Sequence, residues 1–272
     1  VTSDTDPRGK VTGYSYDTYN LYPTTVTNPL SHTTLYVYDY SLGKPKQTTD
    51  QNSFVYQTVY DGLDRILESK IPALTTPYSL ITKTTYVYTD TAGAVRVRRT
   101  DHFDGTISAD TYQYFDGLGR LLQERKEAEA SNTFNVRDLA YNTKGELLKE
   151  SLRYVDSGTA RTTPTTTTSL YTSYMYDPLG RILTATNAIG TTSSVRDDWK
   201  TTVTDTNGNV KHYYTDAYGN LAKVEEVHNV SAYPTNYEWN HNGKLTKITD
   251  ALGNIRNFTY DGLGRRLTAQ DL

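Results

Sequence analysis

Aromatic side chains fall two residues apart along much of this chain, at Tyr36/Tyr38, Tyr86/Tyr88, Tyr174/Tyr176, Tyr237/Trp239 and Phe258/Tyr260. A period of two places each pair on one face of a β-strand. Stacked across neighbouring strands, such pairs would form aromatic ladders, each cross-strand pair contributing about 0.2–1 kcal/mol. Turn signals interrupt these runs at intervals of about eleven residues, the spacing of an all-β meander with strands of roughly eight residues. Two kinds of turn alternate, so the full period is about 22 residues, in the range of repeat architectures.

The first kind of turn is aromatic, Asp or Asn, two free positions, Gly, a polar residue, then an aliphatic. Its closest copies are Tyr260-Asp261-Gly262-Leu263-Gly264-Arg265, Phe115-Asp116-Gly117-Leu118-Gly119-Arg120 and Tyr176-Asp177-Pro178-Leu179-Gly180-Arg181. Looser copies are Tyr60-Asp61-Gly62-Leu63-Asp64-Arg65, Tyr141 to Leu147, Thr215-Asp216-Ala217-Tyr218-Gly219-Asn220 and Trp239-Asn240-His241-Asn242-Gly243-Lys244. Asp or Asn opens a type I turn by accepting a backbone hydrogen bond two residues on. Glycine at the fourth position takes the left-handed conformation that completes a bulged hairpin. Asp64 stands where glycine belongs, and Asp enters that region more readily than most residues. The second kind, Thr followed by Asp or Asn, recurs at Thr186 to Gly190, Thr204 to Gly208, and Thr249-Asp250-Ala251-Leu252-Gly253. These positions predict structural turns; none of them is chemically reactive.

The pattern runs from a degenerate first unit to the C-terminal residues, so residues 1–272 are expected to form a single continuous repeat array, a piece of a longer protein. It loosens at 71–80 with Pro72 and Pro77, at 123–132 (QERKEAEASN), and at 157–169 around Pro164. Longer loops are expected at all three, the middle one as a strand end running into a solvated loop because it has no apolar face. With 28 basic and 31 acidic residues the net charge is −3, which gives no electrostatic case for nucleic acid or an anionic membrane. There is no cysteine, and no apolar run long enough to span a bilayer. Tyr is abundant at 25 against 5 Phe, and the hydrophobic fraction is 36%. Strand-favouring residues with so little apolar content suit a broad, largely single-layer sheet better than a thick two-sided core.

Candidate chemistry is sparse. The five histidines (His32, His102, His212, His228 and His241) show no metal-ligand spacing. Asp197-Asp198 is an adjacent carboxylate couple of the kind acid–base work uses. The Gly-Leu-Gly-Arg strings are too short, and wrongly placed, for a phosphate-cradling loop. Arg65, Arg120, Arg181 and Arg265 follow successive turns. They either approach acids of neighbouring hairpins or lie exposed, covering apolar surface with their stems. Exposed Tyr and Trp, Trp239 among them, could stack on sugar rings, although the ladder needs the same residues. Asn229-Val230-Ser231 and Asn257-Phe258-Thr259 match the glycosylation acceptor pattern. No catalytic, cofactor-binding or metal residue is expected.

The repeated Tyr-Asp-x-x-Gly-Arg-Leu, followed by Thr-Asp-x-x-Gly-Asn, resembles the YD repeat of the RHS (rearrangement hotspot) family, most clearly over 171–267. That family includes bacterial polymorphic toxins, the shell-forming components of insecticidal Tc toxins, and the teneurins. The resemblance implies an all-β fold: YD-repeat hairpins in a long, spirally wound antiparallel sheet, as an arc or part of a hollow cocoon. In toxin members the cocoon holds a C-terminal toxic domain, often freed by a self-cleaving segment. This chain ends at Leu272 inside a repeat, so it is expected to supply wall and not activity. The implied setting is a secreted or surface-displayed bacterial protein. Its partners would be the rest of the parent chain and an encapsulated toxin domain. A surface adhesion or glycan-binding module is the alternative. Unpaired outer strands would favour edge-to-edge self-association.

Overall fold

A computed structural model describes residues 2–73, 79–91, 94–103, 105–162 and 171–271. The protein is all-β: the described residues contain no helix, and they form twenty-four strands. Every described pairing is antiparallel, and most strands pair with their neighbours in the chain as a meander. The exception is central: Thr133–Tyr141 pairs with Tyr154–Ser157 as well as with Leu147–Ser151, which in turn pairs with Tyr171–Tyr176. The chain divides into two compact units, Val1–Arg137 with Arg153–Thr162, and Asp138–Leu152 with Thr163–Leu272.

The strands form because β-branched residues and Tyr dominate them, as in Lys200–Thr204 (KTTVT) and Val210–Thr215 (VKHYYT). Antiparallel register then sets the side-chain neighbours. In the second unit Tyr213 stands opposite Val224, Tyr237 opposite Ile248, and Phe258 opposite Ala269. The expected aromatic ladder is replaced in large part by an alternation of rings and cations. Tyr86 faces Arg99 and Tyr36 faces Thr48, because Thr, Lys and Arg occupy the cross-strand positions. Arg65 lies 4.2 Å from the Tyr88 ring centre, Lys223 4.1 Å from that of Tyr214, and Lys149 4.7 Å from that of Tyr171. Rings do meet rings at Tyr22/Tyr38, stacked at 4.7 Å, and at Tyr112/Phe134, edge-on at 5.7 Å.

Buried apolar side chains are few, as a thin sheet requires: Ala73, Tyr112, Tyr114, Phe134, Val136 and Tyr171. In the first unit Tyr112, Tyr114, Phe134 and Val136 form a cluster against which Tyr154 packs. Its neighbours are polar. Gln123 and Arg125 are fully buried, on the strand Leu121–Glu127. The stretch 123–132 is thus a strand end, running to Glu127, followed by a loop at 128–132, and two residues of the strand end turn inward. The reason is the returning segment after Tyr154–Ser157. Thr159 accepts a hydrogen bond from the Tyr114 hydroxyl through its carbonyl oxygen. Gln123 donates to the Thr162 carbonyl at 3.1 Å, and Arg125 donates to Asp156 and to the Ser157 carbonyl, each at 2.9 Å. Of the other loop regions, the strand Ile66–Pro72 runs into the first residues of 71–80, and residues 74–78 and 163–170 lie outside the described residues.

Candidate functional site

The repeated turn is a five-residue module closed by its own side chains. In each copy the amide of the fourth residue donates to the carbonyl of the opening Asp or Asn: Gly264 to Asp261 at 2.9 Å, Gly119 to Asp116 at 3.0 Å, Asp64 to Asp61 at 3.1 Å. The fourth residue has positive φ, from +68° at Asp64 and Gly243 to +88° at Gly253, with Gly119, Gly180, Gly219 and Gly264 between them. At turns of the first kind the ladder also shifts register, as between Thr259 and Tyr260 or Glu238 and Trp239. This is a type I turn with a bulge. The opening side chain's Oδ1 accepts two further amides, from residues two and four ahead: for Asp61, Leu63 at 2.9 Å and Arg65 at 3.0 Å. Asn240 does the same for Asn242 and Lys244.

The polar residue after glycine completes the module. Arg65, Arg120, Arg181 and Arg265 each donate Nε to Oδ2 of their own turn's aspartate, at 2.7, 2.7, 2.6 and 2.6 Å. Where the residue is Asn, its Nδ2 makes the same bond: Asn209 to Asp205 at 2.8 Å, Asn220 to Asp216 at 3.0 Å, Asn254 to Asp250 at 2.7 Å. The arginines thus find their partner inside the module, and Arg65 also reaches a neighbouring hairpin, with Nη1 2.7 Å from Asp90. The carboxyls of Asp61, Asp116, Asp177 and Asp261 are held below the usual range, first by the arginine's backbone amide and then by its side chain. Those of Asp205, Asp216 and Asp250 are lowered chiefly by the Asn side chain. The turn at Asn187 departs from the pattern grouped with it. The Asn187 amide donates to the Gly190 carbonyl, one residue earlier than in the module, and Gly190 has φ +152°.

Aromatic residues near the ends of several strands bond to the preceding hairpin. Tyr260 donates its hydroxyl to the Leu245 carbonyl at 2.8 Å, Tyr176 to Leu147 at 2.8 Å, and Tyr88 to Ile66 at 2.9 Å; Trp239 donates its indole N–H to Leu221 at 2.8 Å. Tyr60 makes a long version, 3.4 Å from Pro45 O. These carbonyls lie where the two hairpins diverge. The ladder between Leu245–Thr249 and Ile255–Tyr260 ends at Lys247 and Asn257, and that between Leu221–His228 and Ser231–Trp239 ends at Lys223 and Asn236. An aromatic donor satisfies a carbonyl that has left its ladder. At Phe115, which has no hydroxyl, the strand stays paired to its last residue, opposite Val95. This geometry requires Tyr and not Phe at positions 88, 176 and 260.

The remaining candidates do not assemble. Among the described residues no group of His, Asp and Glu is placed to hold a metal ion. His212 Nδ1 lies 3.0 Å from the Thr202 hydroxyl. Asp197 and Asp198 form a tight hairpin tip, Asp197 opposite Lys200 and Asp198 at φ +48°. Asn229 also sits in such a tip, at φ +52°, whereas Asn257 is inside a strand. Trp239 has its indole nitrogen committed to the sheet.

Residues 239–271 match the RHS repeat family model. No curated protein matches the chain. Among solved structures, a TcdB2-TccC3 complex with Cdc42 superposes with a TM-score of 0.81 at 14% identity, over 96% of this chain and 19% of that one. TcdB2-TccC3 alone gives 0.74 at 16% identity, over 95% and 18%. A Photorhabdus luminescens Tc holotoxin pore gives 0.75 at 13% identity, over 96% and 20%. The chain spans about a fifth of the length of these structures. Residues 239–271 carry the RHS repeat motif, and the fold of the chain is the one found in the Tc toxin structures.

Proposed function

We propose that the chain is a non-catalytic segment of the β-sheet wall of an RHS-type shell, one that encloses or displays another domain of the same secreted protein, a toxin in the relatives it resembles. One observation carries this reading. The residues that recur, Asp or Asn, Gly, Arg or Asn and the aromatic, are consumed in closing each hairpin and joining it to the one before. The fold shared with the Tc toxin structures supports it. The partners are then the remaining repeats of the parent and its enclosed domain. The test is protease protection of the parent protein: the enclosed domain should resist digestion while the wall is intact and become sensitive when the turn locks are removed. A domain cleaved equally fast in both states would refute enclosure. Turnover by the purified chain that vanishes on changing a single Asp or His would refute its being non-catalytic.

A further inference from the structure

One face of the first unit carries a polar basin that the hairpins do not need. Register brings Tyr86, Arg99, Thr111 and Lys126 into one row across four adjacent strands. Gln113 and Glu124 are opposite each other in the next row, and Asp101 follows Arg99 on the same face. Together they line a concavity of about 470 Å³, within the size range of small-molecule sites. The fixed charges cancel: Arg99 is 2.8 Å from Asp101, and Glu124 takes Arg153 at 2.8 Å and Lys126 at 3.5 Å.

The hydrogen-bonding capacity is left open. Asp101 uses Oδ1 for Arg99 and Thr84, and Glu124 uses Oε1 for both its cations. Asp101 Oδ2, Glu124 Oε2, the Gln113 amide, the Thr111 hydroxyl and the Tyr86 hydroxyl have no partner among the described residues. Elsewhere on the sheet the corresponding groups are used, as with the hydroxyls of Tyr88, Tyr176 and Tyr260. An anion would meet two carboxylates here, and a cation would meet Arg99 and Lys126. A neutral polyol meets neither penalty, since each hydroxyl both donates and accepts. Carboxylates and an amide offer paired acceptors and donors to vicinal hydroxyls, with strong charge-assisted bonds. Tyr86, nearly parallel to Tyr88 with ring centres 6.3 Å apart, adds an apolar surface for the C–H face of a ring.

We infer that this basin binds one neutral sugar residue, with Gln113, Glu124 and Asp101 bonding its hydroxyls and Tyr86 flanking its ring. The binding is independent of the wall role. Saturation-transfer NMR on the intact chain tests it, with the methyl glycosides of glucose, galactose, mannose and N-acetylglucosamine as probes, and N-acetylneuraminic acid and choline as charged controls. At least one neutral glycoside should receive saturation with millimolar affinity, and neither control should displace it. Glu124→Gln should weaken binding by about tenfold, the loss expected for one charge-assisted bond. Because that change also disturbs Arg153 and Lys126, Gln113→Ala and Thr111→Val provide the cleaner variants. Both should keep the melting temperature and lower the affinity. Saturation of no neutral glycoside, equal binding of a charged control, or unchanged affinity in both Gln113→Ala and Thr111→Val overturns the inference.

Discussion

Replacing Tyr176 by Phe removes a single oxygen, and the structure states what that oxygen does. The hydroxyl donates to Leu147 O at 2.8 Å, joining two hairpins where no ladder bond is available. A neutral hydrogen bond of this kind contributes about 1 kcal/mol net. The half-buried site admits some water to the freed carbonyl, so we expect about 0.5–1 kcal/mol. In a chain of this size that lowers the melting temperature by about 1–3 °C, and local amide exchange around Leu147 should speed up several-fold, to about fivefold. Tyr88→Phe, with its bond at 2.9 Å, should behave alike. Two changes act as controls within the same scaffold. Tyr60→Phe removes a contact of 3.4 Å, too long to count for much, and should be nearly silent. Phe115→Tyr adds a hydroxyl beside a strand already paired to Val95 and should gain nothing. Calorimetry with hydrogen exchange reads all four. Equal losses in Tyr60→Phe and Tyr176→Phe, or no loss in Tyr176→Phe and Tyr88→Phe, would refute the idea that aromatic donors join the hairpins.

Four further outcomes follow from the same geometry. Gly119→Val, Gly180→Val and Gly264→Val should each cost about 1–3 kcal/mol in chemical denaturation, since φ is +76° to +78° at all three. Acid unfolding should be governed by the locks. The folded aspartates titrate below their unfolded value of about 3.9, so their stabilisation is full above that pH and is lost as pH falls through the lower folded values. Stability should therefore be flat from pH 6 to about 5 and fall below about 4, and replacing Asp116, Asp177 and Asp261 together by Asn should flatten that acid limb. Arg125→Met should cost about 3 kcal/mol by stranding Asp156 and should open the chain to trypsin at Arg161, whereas unchanged proteolysis would mean the segment is not held by Arg125. Hydrogen exchange should be fastest in the fully exposed strand Arg266–Asp271, which is paired on one side; protection there equal to that of Leu221–His228 would point to association through that edge.

What was legible in the sequence is what is local. Asp261, Gly264 and Arg265 lie within five residues, so the demand for an amide acceptor and for positive φ is written in their spacing. Alternation likewise marks the strands, because faces depend only on the parity of position. The partner of Arg265 was less legible: an i, i+4 pair suggests a helix surface, and only the bulged turn folds it back on Asp261. Bonds such as Tyr176 to Leu147 span 29 residues and depend on where each ladder stops, which alternation does not reveal. Gln123 and Arg125 lie in a strand end with no apolar face, so nothing in the alternation marks them as buried. Their burial depends on a segment more than thirty residues later, whose carbonyls, threonine hydroxyl and aspartate meet them.

The wall reading is tested most directly by cryo-electron microscopy of the natural parent protein at side-chain resolution. It predicts that the strands between residues 2 and 271 form part of a continuous sheet wall around an enclosed volume, with density for another domain inside. The chain standing as a separate body in solvent, enclosing nothing and bordered by no further repeats, would contradict it.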